Sequence, residues 1–144
     1  MKTLRMKKFE ENPVLNITPD PVVLIIEDDK INRFIIQRYF EKWGITFDFA
    51  TSGIDAISRA NKKQYSLVIT DINMPGINGF EVAIKIKATM GYAEVPIIAL
   101  TAMLNNEVER LAFQSGIQKV ISKPFDPDSF QVTIYNLLNK ERII

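Results

Sequence analysis

The chain has 144 residues, of which 47% are hydrophobic and 24% are charged, and its formal net charge is +1. A chain of this length fits one domain whose core needs no disulfides. It contains no cysteine and no histidine, which excludes thiolate and imidazole ligands, nucleophiles and bases. Any catalytic metal must therefore be held by oxygen, which favours Mg²⁺, Ca²⁺ or Mn²⁺.

The net charge and the hydropathy pattern also indicate the cellular location and the kinds of partner to expect. A charge near zero gives no reason to expect nucleic-acid or membrane binding. No apolar run is long enough to span a bilayer, and no signal-peptide pattern opens the chain. We therefore expect a cytoplasmic protein.

The first twenty residues differ from the rest of the chain. Mixed charges stand there before Pro13, and Pro13 and Pro19 interrupt regular structure. A linker or a short amphipathic helix would fit this segment, but a solvated tail fits it better. We interpret residues 1–20 as an N-terminal extension and residues 21–144 as the domain.

Beyond Pro21, short apolar segments alternate with segments of helical periodicity. In the first of the latter, Ile31, Phe34 and Ile35 recur at helical spacing, and Gly44 follows as a helix stop. This alternation predicts an α/β fold with a parallel sheet covered by helices on both faces. The predicted strands lie near 22–27, 45–50, 66–71, 96–100 and 119–122, and the helices near 30–43, 53–63, 79–90, 104–115 and 127–140.

Polar side chains stand where four of the five predicted strands end. A single carboxylate there could cap a helix, a threonine could do the same, and a lysine could be solvated. Three consecutive acids exceed what capping needs, and the carboxyl edge of an open α/β sheet is where ligands bind. We therefore predict an active site from Glu27, Asp28, Asp29, Asp71, Thr101 and Lys123.

Taken together, these motifs resemble the receiver domains of response regulators in two-component signalling, over roughly residues 21–138. The resemblance implies a doubly wound five-stranded parallel sheet of order 2-1-3-4-5 flanked by five helices. The matching segments are Glu27-Asp28, residues 71–79 (DINMPGING), residues 98–102 (IALTA) and residues 122–125 (SKPF).

The resemblance also implies a role for each acidic residue. Asp71 would accept a phosphoryl group, and Mg²⁺ would be held by Asp28, Asp71 and the backbone carbonyl of Asn73. Glu27, where an aspartate is commoner, would act mainly through a bound water.

Two residues would serve the phosphoryl oxygens. Lys123 would contact them through its ammonium group and Thr101 through its hydroxyl, and the Lys123–Pro124 peptide bond would be cis. The domain would catalyse only its own phosphorylation and dephosphorylation. Its partners would be a histidine kinase or phosphotransfer protein and an unknown downstream protein.

Two other classes of protein fit the sequence less well. A magnesium-dependent phosphatase with an aspartate nucleophile needs a second acid two residues later, where this chain has Asn73, and a flavin mononucleotide carrier would not place three acids in its phosphate loop. Within signalling, a single-domain regulator is slightly favoured over a receiver taken from a hybrid histidine kinase.

Overall fold

The computed structural model describes residues 20–140. The predicted N-terminal extension, Asp20 apart, therefore lies outside the described residues. The elements are β1 (Val22–Ile26), α1 (Lys30–Trp43), β2 (Thr46–Ala50), α2 (Gly53–Lys62), β3 (Leu67–Asp71), α3 (Gly79–Lys87), β4 (Ile97–Thr101), α4 (Asn106–Gln114), β5 (Lys119–Ser122) and α5 (Pro127–Lys140).

The five strands form one sheet of order β2-β1-β3-β4-β5, and every pairing is parallel. This confirms the predicted fold class and strand order. Strands β3 and β4 are buried along their whole length. They read as continuous apolar runs because parallel strands covered on both faces have no solvent side.

Two apolar layers cover the sheet, one on each face. Helices α1 and α5 pack on one face, and α2, α3 and α4 contribute to the other. The first layer is rich in aromatic rings, with Phe125 and Phe130 at a centroid distance of 4.5 Å. Because side chains fill both faces of the sheet, a ligand can bind only where the strands end.

Helix α1 differs in one respect from what its periodicity suggests. Ile31 and Phe34, which mark the helical spacing in the sequence, are 69% and 58% exposed. The buried side of the helix is formed instead by Ile36, Phe40 and Trp43. The spacing predicted the helix correctly, while an apolar stripe remains on its solvent side.

Two helices are shorter than predicted. Helix α4 begins at Asn106 because Asn105 caps it, accepting a hydrogen bond from the Val108 amide at 2.9 Å. Helix α3 ends at Lys87, and the turn that follows buries Tyr92, whose hydroxyl donates to the carbonyl of Lys63 at 2.6 Å.

Strand register brings the predicted site residues to one edge. Ile26 pairs with Thr70 and Asp71 pairs with Leu100, so Glu27 and Asp71 leave the sheet beside each other. At the end of β4 the carbonyl of Thr101 accepts a hydrogen bond from the Lys123 amide at 2.8 Å.

In the part of the chain that the structure describes, no helix is long and apolar enough to cross a membrane.

Candidate functional site

The acidic loop between β1 and α1 is held by hydrogen bonds to its own backbone. Asp29 is the N-cap of α1, and its Oδ2 accepts from the Asn32 amide at 2.8 Å. Glu27 turns back into the loop, where its Oε2 accepts from the Asp29 amide at 3.1 Å. Of the three consecutive acids, Glu27 is buried, while Asp28 and Asp29 are exposed.

Lys123 connects the two buried carboxylates. Its Nζ lies 3.3 Å from Asp71 Oδ2 and 3.2 Å from Glu27 Oε1. The Lys123–Pro124 peptide bond is cis, as predicted. The contact with Glu27 was not anticipated. The signal in the sequence was a glutamate where an aspartate is commoner, because the longer side chain of Glu27 can reach Lys123.

Burial changes the acidity of both carboxyl groups. Burial raises the pKa of Asp71 above its usual value; Lys123 opposes this, and the charge of Asp28 adds to it. Burial likewise raises the pKa of Glu27, against the hydrogen bond from Asp29 and the charge of Lys123. Lys123 therefore offsets the cost of burying these two charges only in part.

Three carboxylates at this edge are close enough to share a cation. Glu27, Asp28 and Asp71 each offer one oxygen, and these atoms lie within 4.8 Å of one another. Oxygen ligands suit Mg²⁺, which binds through few carboxylates and keeps several waters. Asn73 is exposed, two residues beyond Asp71 in the same loop, and its role as a ligand stays a prediction.

Thr101 is buried at the tip of β4, with 1% of its surface exposed. Its Oγ1 accepts from the backbone amide of Met103 at 3.1 Å, a local turn of the kind short hydroxyl side chains form. The hydroxyl is thus turned toward its own loop, and its contact with a phosphoryl group stays a prediction.

Two further residues shape this edge, although neither is among the predicted site residues. Gly79 begins α3 so close to β3 that a Cβ there would lie 2.5 Å from the carbonyl oxygen of Asp71. Arg33 donates from Nη1 to the carbonyl oxygen of Glu27 at 3.0 Å. The DINMPGING segment contained a signal for the first, since it places a glycine at the start of the helix.

Comparison with known proteins decides the family. The model of the response regulator receiver domain matches residues 23–135, most of the chain. The chain belongs to the receiver domain family. This confirms the resemblance seen in the motifs and places the protein in two-component signal transduction.

A curated relative is similar in sequence over most of this chain. A probable transcriptional regulator of Porphyra purpurea, ycf29, is 32% identical over 121 residues, which cover 84% of this chain and 58% of that protein. The chain thus spans little more than half the length of this curated relative.

Two similar receiver domains have been solved, one with a metal ion and one with a protein partner. The receiver domain of the sensor histidine kinase PA1611 from Pseudomonas aeruginosa, solved with magnesium in its active-site cleft, is 25% identical with a TM-score of 0.78, covering 84% of this chain and 99% of that one. The Ssk1 receiver of Saccharomyces cerevisiae, solved with the histidine phosphotransfer protein Ypd1, is 26% identical with a TM-score of 0.74, covering 85% and 91%.

Proposed function

We propose that this receiver domain accepts a phosphoryl group on Asp71 from a histidine kinase or phosphotransfer protein, with Mg²⁺ as cofactor. The observation that carries the proposal is a buried carboxylate at the carboxyl edge of the sheet, with an ammonium 3.3 Å away and two more acids beside it. A nucleophile, a cation for the phosphoryl oxygens and an oxygen-donor metal site are the parts that phosphoryl transfer requires.

The transfer exchanges one bond at phosphorus for another. A carboxylate oxygen of Asp71 attacks in line while the bond from phosphorus to the donor's imidazole nitrogen breaks. The nitrogen leaves with the electron pair, as neutral imidazole when the second ring nitrogen is protonated. The product on Asp71 is an acyl phosphate.

The neighbouring residues prepare Asp71 for this attack. Lys123 moves from the carboxylate to the phosphoryl oxygens as negative charge arrives, and Thr101 turns its hydroxyl toward the same oxygens. Asp28, Asp71 and the carbonyl of Asn73 would hold the metal directly, and Glu27 would act mainly through a bound water. When bound, Mg²⁺ supplies the positive charge that lets an anionic nucleophile meet an anionic phosphoryl group.

We propose no turnover of a separate substrate. The nearest enzymatic alternative, an aspartate-nucleophile phosphatase, needs an acid at position 73 to protonate the leaving group. Asn73 cannot do this, so the domain acts on its own acyl phosphate alone and signals to a downstream protein.

The surface beside Lys123 suits a protein donor. A groove of about 370 Å³ runs between α1 and the segment 123–125 that precedes α5, lined by Ile35, Tyr39, Lys123 and Phe125 among others. The exposed Ile31 and Phe34 continue this apolar surface along α1. We propose that the histidine-bearing protein docks here, because this surface borders the ammonium that contacts Asp71.

Small phosphodonors test the acceptor without a partner. With Mg²⁺ and acetyl phosphate, the wild type should gain the mass of one phosphoryl group, and Asp71→Asn should gain none. Asp128→Asn, which changes an exposed carboxylate at the start of α5, should be modified like the wild type. An adduct on Asp71→Asn would refute the assignment.

Docking is tested by separating the two kinds of donor. Ile35→Glu should slow transfer from a cognate phosphohistidine protein while leaving phosphorylation by acetyl phosphate unchanged. Ile54→Glu, an equally polar change at an exposed position of α2, should affect neither. Equal slowing by both variants would contradict the proposed surface.

A further inference from the structure

Arg33 is the one described residue whose side chain ties α1 to the main chain of the acidic loop. Its Nη1 donates to the carbonyl oxygen of Glu27 at 3.0 Å. Within the described residues, the Arg33 guanidinium forms no ion pair with a carboxylate within 4.0 Å. The contact is therefore directed at the backbone.

Helix geometry explains how Arg33 reaches that carbonyl. Arg33 is the fourth residue of α1, and side chains on a helix lean toward its N-terminus. The Glu27 amide already donates to the carbonyl of Ala50 in β2 at 3.0 Å. The amide thus joins the loop to the sheet, and the carbonyl joins it to the helix.

The loop needs this restraint because its charges repel one another. Glu27 and Asp28 bring their carboxylates within 4.8 Å of an oxygen of Asp71. Asp28 is exposed, and the structure shows no hydrogen bond from its side chain to any described residue. Its position therefore depends on the backbone on either side of it, and Arg33 holds the peptide unit that precedes it.

We propose that Arg33 is a positioning residue for the magnesium site. It holds the peptide that follows Glu27, so the carboxylates of Glu27 and Asp28 stay at a spacing from Asp71 that one cation can bridge. This inference rests on the magnesium binding in the proposed function. It assigns to Arg33 no contact with metal or phosphoryl group.

Arg33 could act on Mg²⁺ affinity through its charge or by positioning the loop. Its removal changes the affinity in opposite directions in the two cases. If its charge alone mattered, its removal would make the site more negative and tighten Mg²⁺ binding. If it positions the loop, its removal weakens binding, as loss of groups that orient metal ligands usually does. The sign of the change separates the two.

The test is a Mg²⁺ titration by isothermal calorimetry on four proteins. We expect Arg33→Met to weaken binding about tenfold, and Arg33→Lys, which keeps the charge but not the reach and fork of guanidinium, to remain clearly weaker than the wild type. Arg38→Met is the matched control, because Arg38 lies on the same helix and its guanidinium rests 5.7 Å from the Phe34 ring centroid. Its affinity should equal or slightly exceed that of the wild type.

Melting temperatures in chelator complete the experiment, since a purely structural Arg33 would change these instead. We expect Arg33→Met and Arg38→Met to melt within a few degrees of each other without metal. Unchanged or tighter Mg²⁺ binding by Arg33→Met would overturn the positioning role. Absence of binding to the wild type would instead overturn the magnesium site of the proposed function.

Discussion

The two ends of the parallel sheet use their polar groups in opposite ways. Near the amino end of β3, Tyr65 donates to Asp48 at 2.7 Å, and Lys63 pairs with the same carboxylate at 3.0 Å. The hydroxyl of Tyr92 donates to the carbonyl of Lys63 and accepts from the Tyr65 amide. Each of these groups has a partner, so this end contributes stability.

The carboxyl end is short of positive charge. Three carboxylates lie close together there and Lys123 contacts only two of them, while burial raises the pKa of both Glu27 and Asp71. At the amino end, burial acts to raise the pKa of Asp48 too, but hydrogen bonds from Tyr65 and Lys63 outweigh it and hold that pKa below its usual value. Unbalanced charge is typical of a functional site, and it distinguishes the carboxyl end from the amino end.

The largest loss of stability is expected where the start of α3 packs against the backbone at the end of β3. Gly79→Ala should destabilise the fold by about 3 kcal/mol because its Cβ would meet the carbonyl of Asp71 and the Cα of Ile72, which cannot move aside. Gly53→Ala meets only side chains, of Ile77 and Val82, and should cost about 1 kcal/mol. Urea unfolding compares the two, and equal costs would contradict this view of the site's packing.

A change at the amino end should lower stability without affecting the site. Tyr92→Phe leaves a buried amide and a carbonyl without their partner, which should cost about 2 kcal/mol in unfolding free energy. Phosphorylation by acetyl phosphate in Mg²⁺ should proceed at the wild-type rate. A slower reaction in the folded variant would show that the two ends are not independent.

Metal binding should stabilise the carboxyl end. At ten times its dissociation constant, Mg²⁺ should raise the unfolding free energy by about 1.4 kcal/mol. Asp28→Ala should lose most of the metal-dependent rise in melting temperature, whereas Asp128→Ala, at an exposed position, should keep it. An undiminished rise in Asp28→Ala would place the metal elsewhere.

The smallest effect expected at neutral pH lies at Tyr65, and it depends on pH. Burial and the hydrogen bond to Asp48 raise its pKa to about 12, while a tyrosine in the unfolded chain titrates near 10. As pH rises through 10, the unfolded state releases this proton first, so stability is lost between pH values of about 10 and 12.

Tyr65→Phe isolates this contribution. The wild type should exceed the variant by about 1 kcal/mol at neutral pH, from the hydrogen bond to Asp48. The difference should shrink as urea unfolding is repeated from pH 7 toward pH 11. A constant difference over that range would contradict the shifted pKa.

The carboxyl edge was more predictable from sequence than the details that hold it. Strand ends are visible because apolar runs stop at Glu27, Asp71 and Thr101, and parallel order brings those ends together. The hydrogen bond from Arg33 to a backbone carbonyl could not be predicted, because the sequence does not show which group an arginine in the first turn of a helix will contact. The exposure of Ile31 and Phe34 was not predicted either, because helical periodicity does not show which apolar stripe faces the sheet.

The amino end was not predicted at all. Asp48 lies in β2, far in sequence from Tyr65, and Tyr92 follows α3 in a turn that the helical pattern had covered. Such pairs depend on tertiary contact between residues without a shared motif.

The central claim is that Asp71 carries the phosphoryl group. Borohydride reduction of the phosphorylated protein, followed by peptide mass mapping, tests it most directly because hydride converts an aspartyl phosphate to homoserine. We predict homoserine at position 71 and unmodified aspartate at positions 28 and 29. Homoserine at either of those positions, with intact aspartate at 71, would contradict the account.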